Sequence, residues 1–330
     1  MKADVTVPVY KKAPRLAMIS SLAGLGHVSL TAALPVVSVL GVQPCPLPSS
    51  ILSGHLAYPQ VCKTDLTEQL AEYLSVWERL DTRFDGLYIG YLANAAQTTT
   101  LQEILKNVRF HEKASSAADA PCLGRLLASH ARILVDPVMA DHGKPYSTVT
   151  TAHIIAMKEL VTLADVLTPN LTEACLLTDT PYQEENWTAP ALTQLCKKLD
   201  PDCRKIIVVT GVPLETTAAR IGVLPNGTVT PIRVSAGTPD CYQNFLWAYG
   251  RTSSVEYESA GASRPGTGDI FASILAAHMV LDHDMAYAVN QATEFISACI
   301  ADSEAAEIPV REGVLLEQNL YRLMQREATS

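Results

Sequence analysis

The chain alternates short apolar runs with longer helical patterns, and this alternation restricts its fold more than any other feature. "RLAMIS" (15–20), "GLYIG" (86–90), "ARILVD" (131–136) and "RKIIVVT" (204–210) read as strands. The last two are apolar enough to be buried on both faces. Between the first two stand "GHVSLTAALPVVSVLG", a helix bent or interrupted at Pro35 and closed by Gly41, and "DLTEQLAEYLSVWERL" (65–80), an amphipathic helix. Such an order predicts an α/β fold with parallel strands joined by crossover helices. Strands of this kind end in polar residues: Ser20 and Ser21, Asp136, Thr210. In open α/β sheets ligands collect beyond the carboxyl ends of the strands, so these ends carry the functional weight.

The remaining pattern fills in the architecture. "ARIGVL" and "TVTPIRV" (218–234) read as an antiparallel pair turning at Asn226-Gly227. Helices are expected at 268–281, around 285–302 and at 313–326. The polar stretch 107–130 reads as a surface excursion, and the aromatic, acidic stretch 237–258 as a surface hairpin, with a cover over a nucleotide as the alternative. No repeat or linker divides the 330 residues, so a single domain over 15–330 is expected after a tail at 1–14.

Composition removes several classes of function. With 48% hydrophobic and 18% charged residues the chain can build a large core and is not of a disordered type. A net charge of −9 without a basic stripe argues against nucleic acid as a partner. No membrane span and no signal core are visible, so the expected location is the cytoplasm. Eight dispersed cysteines without C-x-x-C read as reduced, mostly buried thiols.

"SSLAGLGHVSL" places G-x-G-x-x-S between a strand and a helix. A dinucleotide fingerprint would need a third glycine at Ser29 and an acid about 20 residues on. No Asp or Glu occurs between Asp4 and Asp65, so that reading fails. What remains is a close backbone approach near Gly24 and Gly26, or a plain turn, with Ser21 at a strand end. P-loop, protein-kinase and nucleophile-elbow motifs are also absent.

Three acids follow strand ends. "LVDPVMADHGKPY" holds Asp136 and Asp141, and "ADVLTPNLTEACLLT" holds Asn170 and Glu173. Asn170 to Glu173 is also capping-box spacing, and on local grounds both readings stay open. Together, Asp136, Asp141 and Glu173 on one sheet face predict a Mg²⁺–phosphate site. In "RPGTGDIFAS" (264–273), backbone N–H groups from Gly266 to Asp269 would form an anion nest at a helix start. Asp269 could merely cap that helix. Beside a phosphate it becomes useful as the base that deprotonates an alcohol attacking phosphorus.

"RPGTGDIFAS" resembles the signature of the ribokinase-like superfamily. "DPVMADHGKPY", "TPNLTEACLLT", "LSGHLAY" (52–58) and "YIGYLANAAQ" (88–97) resemble its pyridoxal/pyridoxamine kinase branch, in colinear order over about residues 15–300. The resemblance implies a three-layer sandwich and ATP-dependent phosphorylation of the 5′-hydroxymethyl group of a vitamin B6 vitamer. It implies Asp269 as base and Gly266, Thr267 and Gly268 as the hole around the transferring phosphoryl group. Asp136, Asp141, Asn170 and Glu173 would handle Mg²⁺, its water and the ATP phosphates. Thr210 would contact the nucleotide, and Lys144 and Tyr146 lie in the loop near the phosphates. Ser21, His55 and Tyr91 would grip the pyridine ring. A monovalent cation such as K⁺ and a homodimer are further implications. Ala140 stands where the family usually has glycine, Leu56 where a threonine is common, and His27 where larger or basic residues are frequent. The alternatives are a hydroxymethylpyrimidine kinase on the same fold, or a vitamer-binding protein without catalysis.

Overall fold

The computed structural model describes residues 12–110, 126–184, 187–214, 220–223, 229–232 and 241–324. Its strands are β1 (Arg15–Ala23), β2 (Gln43–Leu52), β3 (Lys63–Asp65), β4 (Phe84–Ile89), β5 (Leu127–Val135), β6 (Ala140–Asp141), β7 (Lys144–Pro145), β8 (Val166–Leu167), β9 (Ile206–Pro213), β10 (Arg220–Val223), β11 (Val229–Ile232), β12 (Cys241–Ala248) and β13 (Arg251–Glu258). Helices are α1 (Ser29–Val39), α2 (Thr67–Arg79), α3 (Ala95–Phe110), α4 (Thr151–Leu160), α5 (Leu171–Leu177), α6 (Ala189–Leu199), α7 (Thr267–Val280) and α8 (Met285–Ala305).

Nine strands form one sheet in the order β13-β12-β9-β8-β5-β4-β1-β2-β3. The six from β9 to β2 run parallel, so their carboxyl ends share one edge. Antiparallel strands close both sides. Side chains alternate across the sheet: Leu16 and Met18 of β1 pack on one face with α1, α7 and α8, and Ala17 and Ile19 on the other with α2 to α6. This is the three-layer α/β sandwich the sequence predicts.

α7 is the most deeply held helix near the sheet edge. Every residue from Ile270 to Met279 is buried, and each large apolar side chain among them contributes about 1.5–3 kcal/mol by leaving water. Its first turn is therefore a rigid platform.

Several local expectations change. Among the described residues of the run 313–326 no α-helix forms: Gly313 adopts φ +81°, and 3₁₀ turns form at Val310–Glu312 and Leu320–Met324. Its buried apolar side chains, Val314, Leu316 and Leu323, dock irregularly against the α1/α8 layer. α1 runs through Pro35 without interruption. The excursion at 107–130 shrinks from both sides, since α3 reaches Phe110 and β5 begins at Leu127; 111–125 lie outside the described residues. The stretch 237–258 contains a hairpin, β12–β13, but not a surface one. β12 pairs with β9 inside the main sheet and buries Phe245, Leu246 and Trp247. β10 and β11 do pair antiparallel, with their turn outside the described residues. The thiols are not mostly buried: Cys175, Cys196 and Cys299 are, Cys45 and Cys241 are intermediate, Cys62 and Cys203 are exposed, and Cys122 is not among the described residues.

β2 was invisible to propensity because of Pro44, Pro46 and Pro48. Odd-numbered residues face β1, as Gln43 N–H does in bonding the Pro14 carbonyl at 2.8 Å. The prolines thus turn their missing N–H groups to the side that β3 covers only at 50–52.

Candidate active site

The loop after β1 and the turn before α7 meet at the carboxyl edge. Gly266 caps α7 at φ +88°, and a side chain there would overlap the His27 carbonyl oxygen. Only glycine meets both conditions. Helical bonding starts with Ile270 N–H to the Gly266 carbonyl at 2.9 Å. The N–H groups of Thr267, Gly268 and Asp269 come before it and have no acceptor inside the helix. Gly268 faces open space. The Thr267 hydroxyl turns back to the Arg264 carbonyl at 3.0 Å, so Thr267 presents its backbone rather than its side chain. Arg264 is itself buried, bonds Glu304 at 2.9 Å, and reaches the carbonyls of Ile308, Pro309 and Gly313.

Asp269 is half-buried, and desolvation of its carboxyl pushes the pKa up to about 6, with the polar groups of Ser29 drawing it down. Ser21 Oγ donates to Ser29 Oγ at 2.9 Å.

The strand tips beside it gather the other acids. Asp136, buried at the end of β5, accepts from the Thr168 hydroxyl at 2.9 Å. Burial first, then the charges of Glu173 and Asp269, hold its pKa well above the usual carboxylate range. Glu173 Oε1 accepts from the N–H of Met139 at 3.0 Å, with Ala140 at 3.5 Å, and Oε2 from that of Asn170 at 2.9 Å. Asn170 Oδ1 accepts in return from Glu173 N–H at 2.9 Å, so the capping box is complete. Burial nevertheless raises the Glu173 carboxyl to about 8.

Asp141 opens a two-residue turn, β6–His142–Gly143–β7, with both central residues at positive φ. Gly143 N–H bonds the Thr172 hydroxyl at 2.9 Å, and Asn170 Nδ2 bonds the Ala140 carbonyl at 2.7 Å, which fastens this turn to α5. Ala140 is fully buried outside the positive-φ region, so its methyl fits where glycine is usual. Tyr146 is 38% exposed, and its phenol is pushed up by desolvation and then by the charges of Glu173, Asp141, Asp136 and Asp269. Lys144 lies exposed on β7, opposite Asp141. Thr210 does not end its strand as expected but lies within β9, three residues before Pro213; it bridges to Asn170, and its N–H bonds the Pro169 carbonyl at 3.0 Å. Among the described residues, no three His, Cys, Asp or Glu side chains are grouped closely enough to hold a metal ion alone. The repulsion among Asp136, Glu173 and Asp269 still fits a cation shared with phosphate oxygens and water.

On the other flank, Tyr91 is buried, with its N–H on Ser20 Oγ at 3.0 Å and its carbonyl accepting from Ser49 Oγ at 2.8 Å. His55 abuts Gly26, confirming the close approach expected there. Its Nδ1 accepts from Ala57 N–H at 3.3 Å and its Nε2 meets the Arg311 carbonyl at 2.6 Å, so both ring nitrogens are engaged by the chain. Tyr58 donates to Glu312 at 2.9 Å, and His27 pairs with Glu317 at 2.7 Å. Residues 311–317 thus close this flank. Leu56 is 46% exposed.

Sequence reasoning did not single out Ser29, Thr168, Arg264 or Tyr88. Tyr88 is fully buried, raised by its burial and then by Asp136 and Asp269, and its hydroxyl has no partner among the described residues. Only Ser29 carried a signal, as the residue in place of a third glycine.

The fold is that of the ribokinase-like small-molecule kinases. Residues 116–313 match the model of the phosphomethylpyrimidine kinase family, and the chain belongs to that family. It is 25% identical over 300 residues to the pyridoxine/pyridoxal/pyridoxamine kinase of Bordetella avium, covering 87% of this chain and 86% of the relative. A candidate phosphomethylpyrimidine kinase of Bacteroides thetaiotaomicron, crystallised with pyridoxal, superposes with a TM-score of 0.78 at 28% identity, over 95% of this chain and 96% of that one. The pyridoxal kinase of Leishmania donovani, solved with ADP and pyridoxamine, shares the fold at a TM-score of 0.69 and 20% identity, over 95% and 96%.

Proposed function

We propose that this protein is an ATP-dependent kinase of a single domain that phosphorylates the 5′-hydroxymethyl group of a vitamin B6 vitamer. The observation that carries the reading is the place of Asp269, in the first turn of α7 beside N–H groups with no acceptor inside the helix, where burial raises its carboxyl to about 6. A base of that strength is mostly ionised at neutral pH and accepts a proton better than an ordinary aspartate. As the vitamer hydroxyl attacks the γ-phosphorus, its proton passes to Asp269 and the bond to the ADP oxygen breaks. The N–H groups around Gly266, Thr267 and Gly268 meet the charge on the phosphoryl oxygens, and α7 supplies its positive end.

Asp136, Asp141, Asn170 and Glu173 would hold Mg²⁺, directly or through its water; when bound, the ion screens the phosphate charge. Glu173 would act through water, because its oxygens already accept three backbone N–H groups. Lys144, Tyr146 and Thr210 would line the nucleotide side. Ser21, His55 and Tyr91 would hold the pyridine ring, His55 by its face since its nitrogens are occupied. Pyridoxal in the Bacteroides structure and ADP in the Leishmania structure support this reading.

The match to the phosphomethylpyrimidine kinase family supports a pyrimidine as the alternative substrate class, and hydroxymethylpyrimidine is the member that offers an alcohol to the same base and nest. The test is ATP consumption with Mg²⁺ against pyridoxal, pyridoxamine, pyridoxine and hydroxymethylpyrimidine. Turnover of a B6 vitamer supports the proposal. Turnover of the pyrimidine alone moves the protein to that substrate, and binding without turnover by any of the four ends the kinase reading.

A further inference from the structure

Arg264 stands two residues before the Gly266 cap of α7, and its side chain is 1% exposed. Burying a guanidinium is expensive unless its donors are matched. Here each terminal nitrogen meets two acceptors. Nη2 donates to Glu304 Oε1 at 2.9 Å and to the Ile308 carbonyl at 3.0 Å, and Nη1 to the carbonyls of Gly313 at 2.9 Å and Pro309 at 3.4 Å. Three of these four acceptors belong to one short segment, 308–313. Glu304 does not account for the burial, because its side chain is 42% exposed and a surface cation could pair with it. Only a guanidinium has enough donors, in a flat fork, to hold several carbonyls at once.

The gripped segment rests on the nest. Gly313, at φ +81°, lies so close that a side chain there would come within 3.2 Å of the Pro265 carbonyl oxygen, with His27 next nearest. Gly266 in turn lies against the His27 carbonyl. The Pro265–Gly266 turn is therefore packed against both the glycine loop and Gly313. Across the same turn, the Arg264 carbonyl accepts the Thr267 hydroxyl at 3.0 Å. α7 does not fix the turn itself, since no side chain bonds its cap. The N–H groups of its first turn converge on one point only while that turn stays still, and preorganised donors are what stabilise charge in a transition state. We infer that Arg264 is a positioning residue, whose guanidinium, by gripping the 308–313 carbonyls, holds the Gly266 turn and so aims the N–H groups of Thr267 and Gly268 at the transferring phosphoryl group.

This inference rests on the nest receiving the phosphoryl group, and the experiment separates the two. Arg264→Lys keeps the charge but cannot reach all four acceptors. Its kcat should fall about 10- to 100-fold, the scale of a small misplacement at the reacting centre. Affinity for ADP with aluminium fluoride, a mimic of the phosphoryl group in transfer, should fall by a similar factor, while affinity for ADP alone stays within about twofold. A role confined to stability would lower the melting temperature and leave that difference unmoved. Glu304→Gln, which keeps an acceptor for Arg264, should hold kcat within about twofold. If Arg264→Lys does not fold, Gly313→Ala takes its place: it presses on the Pro265 carbonyl with Arg264 intact, and the same signature is expected. A folded variant with wild-type kcat overturns the inference, and so does an equal loss of affinity for both forms of ADP. If the wild type gains nothing from aluminium fluoride and turns over no substrate, the phosphoryl reading fails. Exchange of the Ile270 amide hydrogen, whose bond to the Gly266 carbonyl closes the turn, then decides the inference. Faster exchange in Arg264→Lys than in the wild type and Glu304→Gln supports the grip, and an unchanged rate ends it.

Discussion

Asp269 and Glu173 occupy the same place in two helices. Each is the third residue of a helix that begins beyond the carboxyl edge of the sheet. Their caps differ. Asn170 offers a side chain, so Glu173 folds back and completes a reciprocal box, its oxygens spent on the N–H groups of Met139, Ala140 and Asn170. Gly266 offers none, so Asp269 closes no box and its oxygens are not spent on its own cap. The residue at the cap thus decides whether an acid in the first turn is a fastener or an available base.

Asp269→Asn tests that contrast most severely. It should lower kcat about a thousandfold, within the usual range for a lost general base, with KM for ATP nearly unchanged and no loss of melting temperature. Steady-state kinetics with a melting curve read both. Glu173→Ala should show the reverse balance: a smaller loss of kcat, about tenfold, with destabilisation of about 1–3 kcal/mol from stranded backbone donors, read by denaturant unfolding. An Asp269 variant that unfolds, or a Glu173 variant that keeps full stability, would break the comparison.

The two acids also predict a pH dependence. Asp269 sits at about 6 when folded against an ordinary 3.8, so the folded chain holds its proton more tightly than the unfolded one. Its stabilising contribution is fully present below 3.8 and lost as the pH rises through about 6. Glu173 behaves likewise between 4.5 and about 8. Melting of the ligand-free protein should show Asp269→Asn gaining on the wild type as pH rises from about 4 to about 7. In the same window wild-type kcat/KM should rise with ionisation of the base. A constant difference across the window would remove Asp269 from this account. The smallest effect is expected at Leu56→Thr: an exposed side chain should change kcat/KM for each vitamer by about twofold or less, measured by parallel assays of the three vitamers.

Much of the fold was legible because buried strands and capped helices write themselves locally. β1, β4, β5 and β9 announced themselves as apolar runs, and "NLTE" contained both halves of its box. "RPGTGD" showed the nest and the acid together. The strand with three prolines was hidden, since its missing donors are harmless only beside an open edge. The run 313–326 misled because its apolar spacing serves irregular docking rather than a helix.

By itself, the sequence determined the buried strands β1, β4, β5 and β9, the acid after β5 and the glycine-capped acid at α7. These depend on neighbours in the chain: side-chain alternation, caps and turns. Tertiary structure alone decided that β1 lies between β4 and β2, that the Gly266 turn rests on the His27 carbonyl, and that Ser21 bonds Ser29 across the loop. Those contacts join residues that are not chain neighbours, and they follow from sheet order and loop packing, neither of which leaves a local pattern.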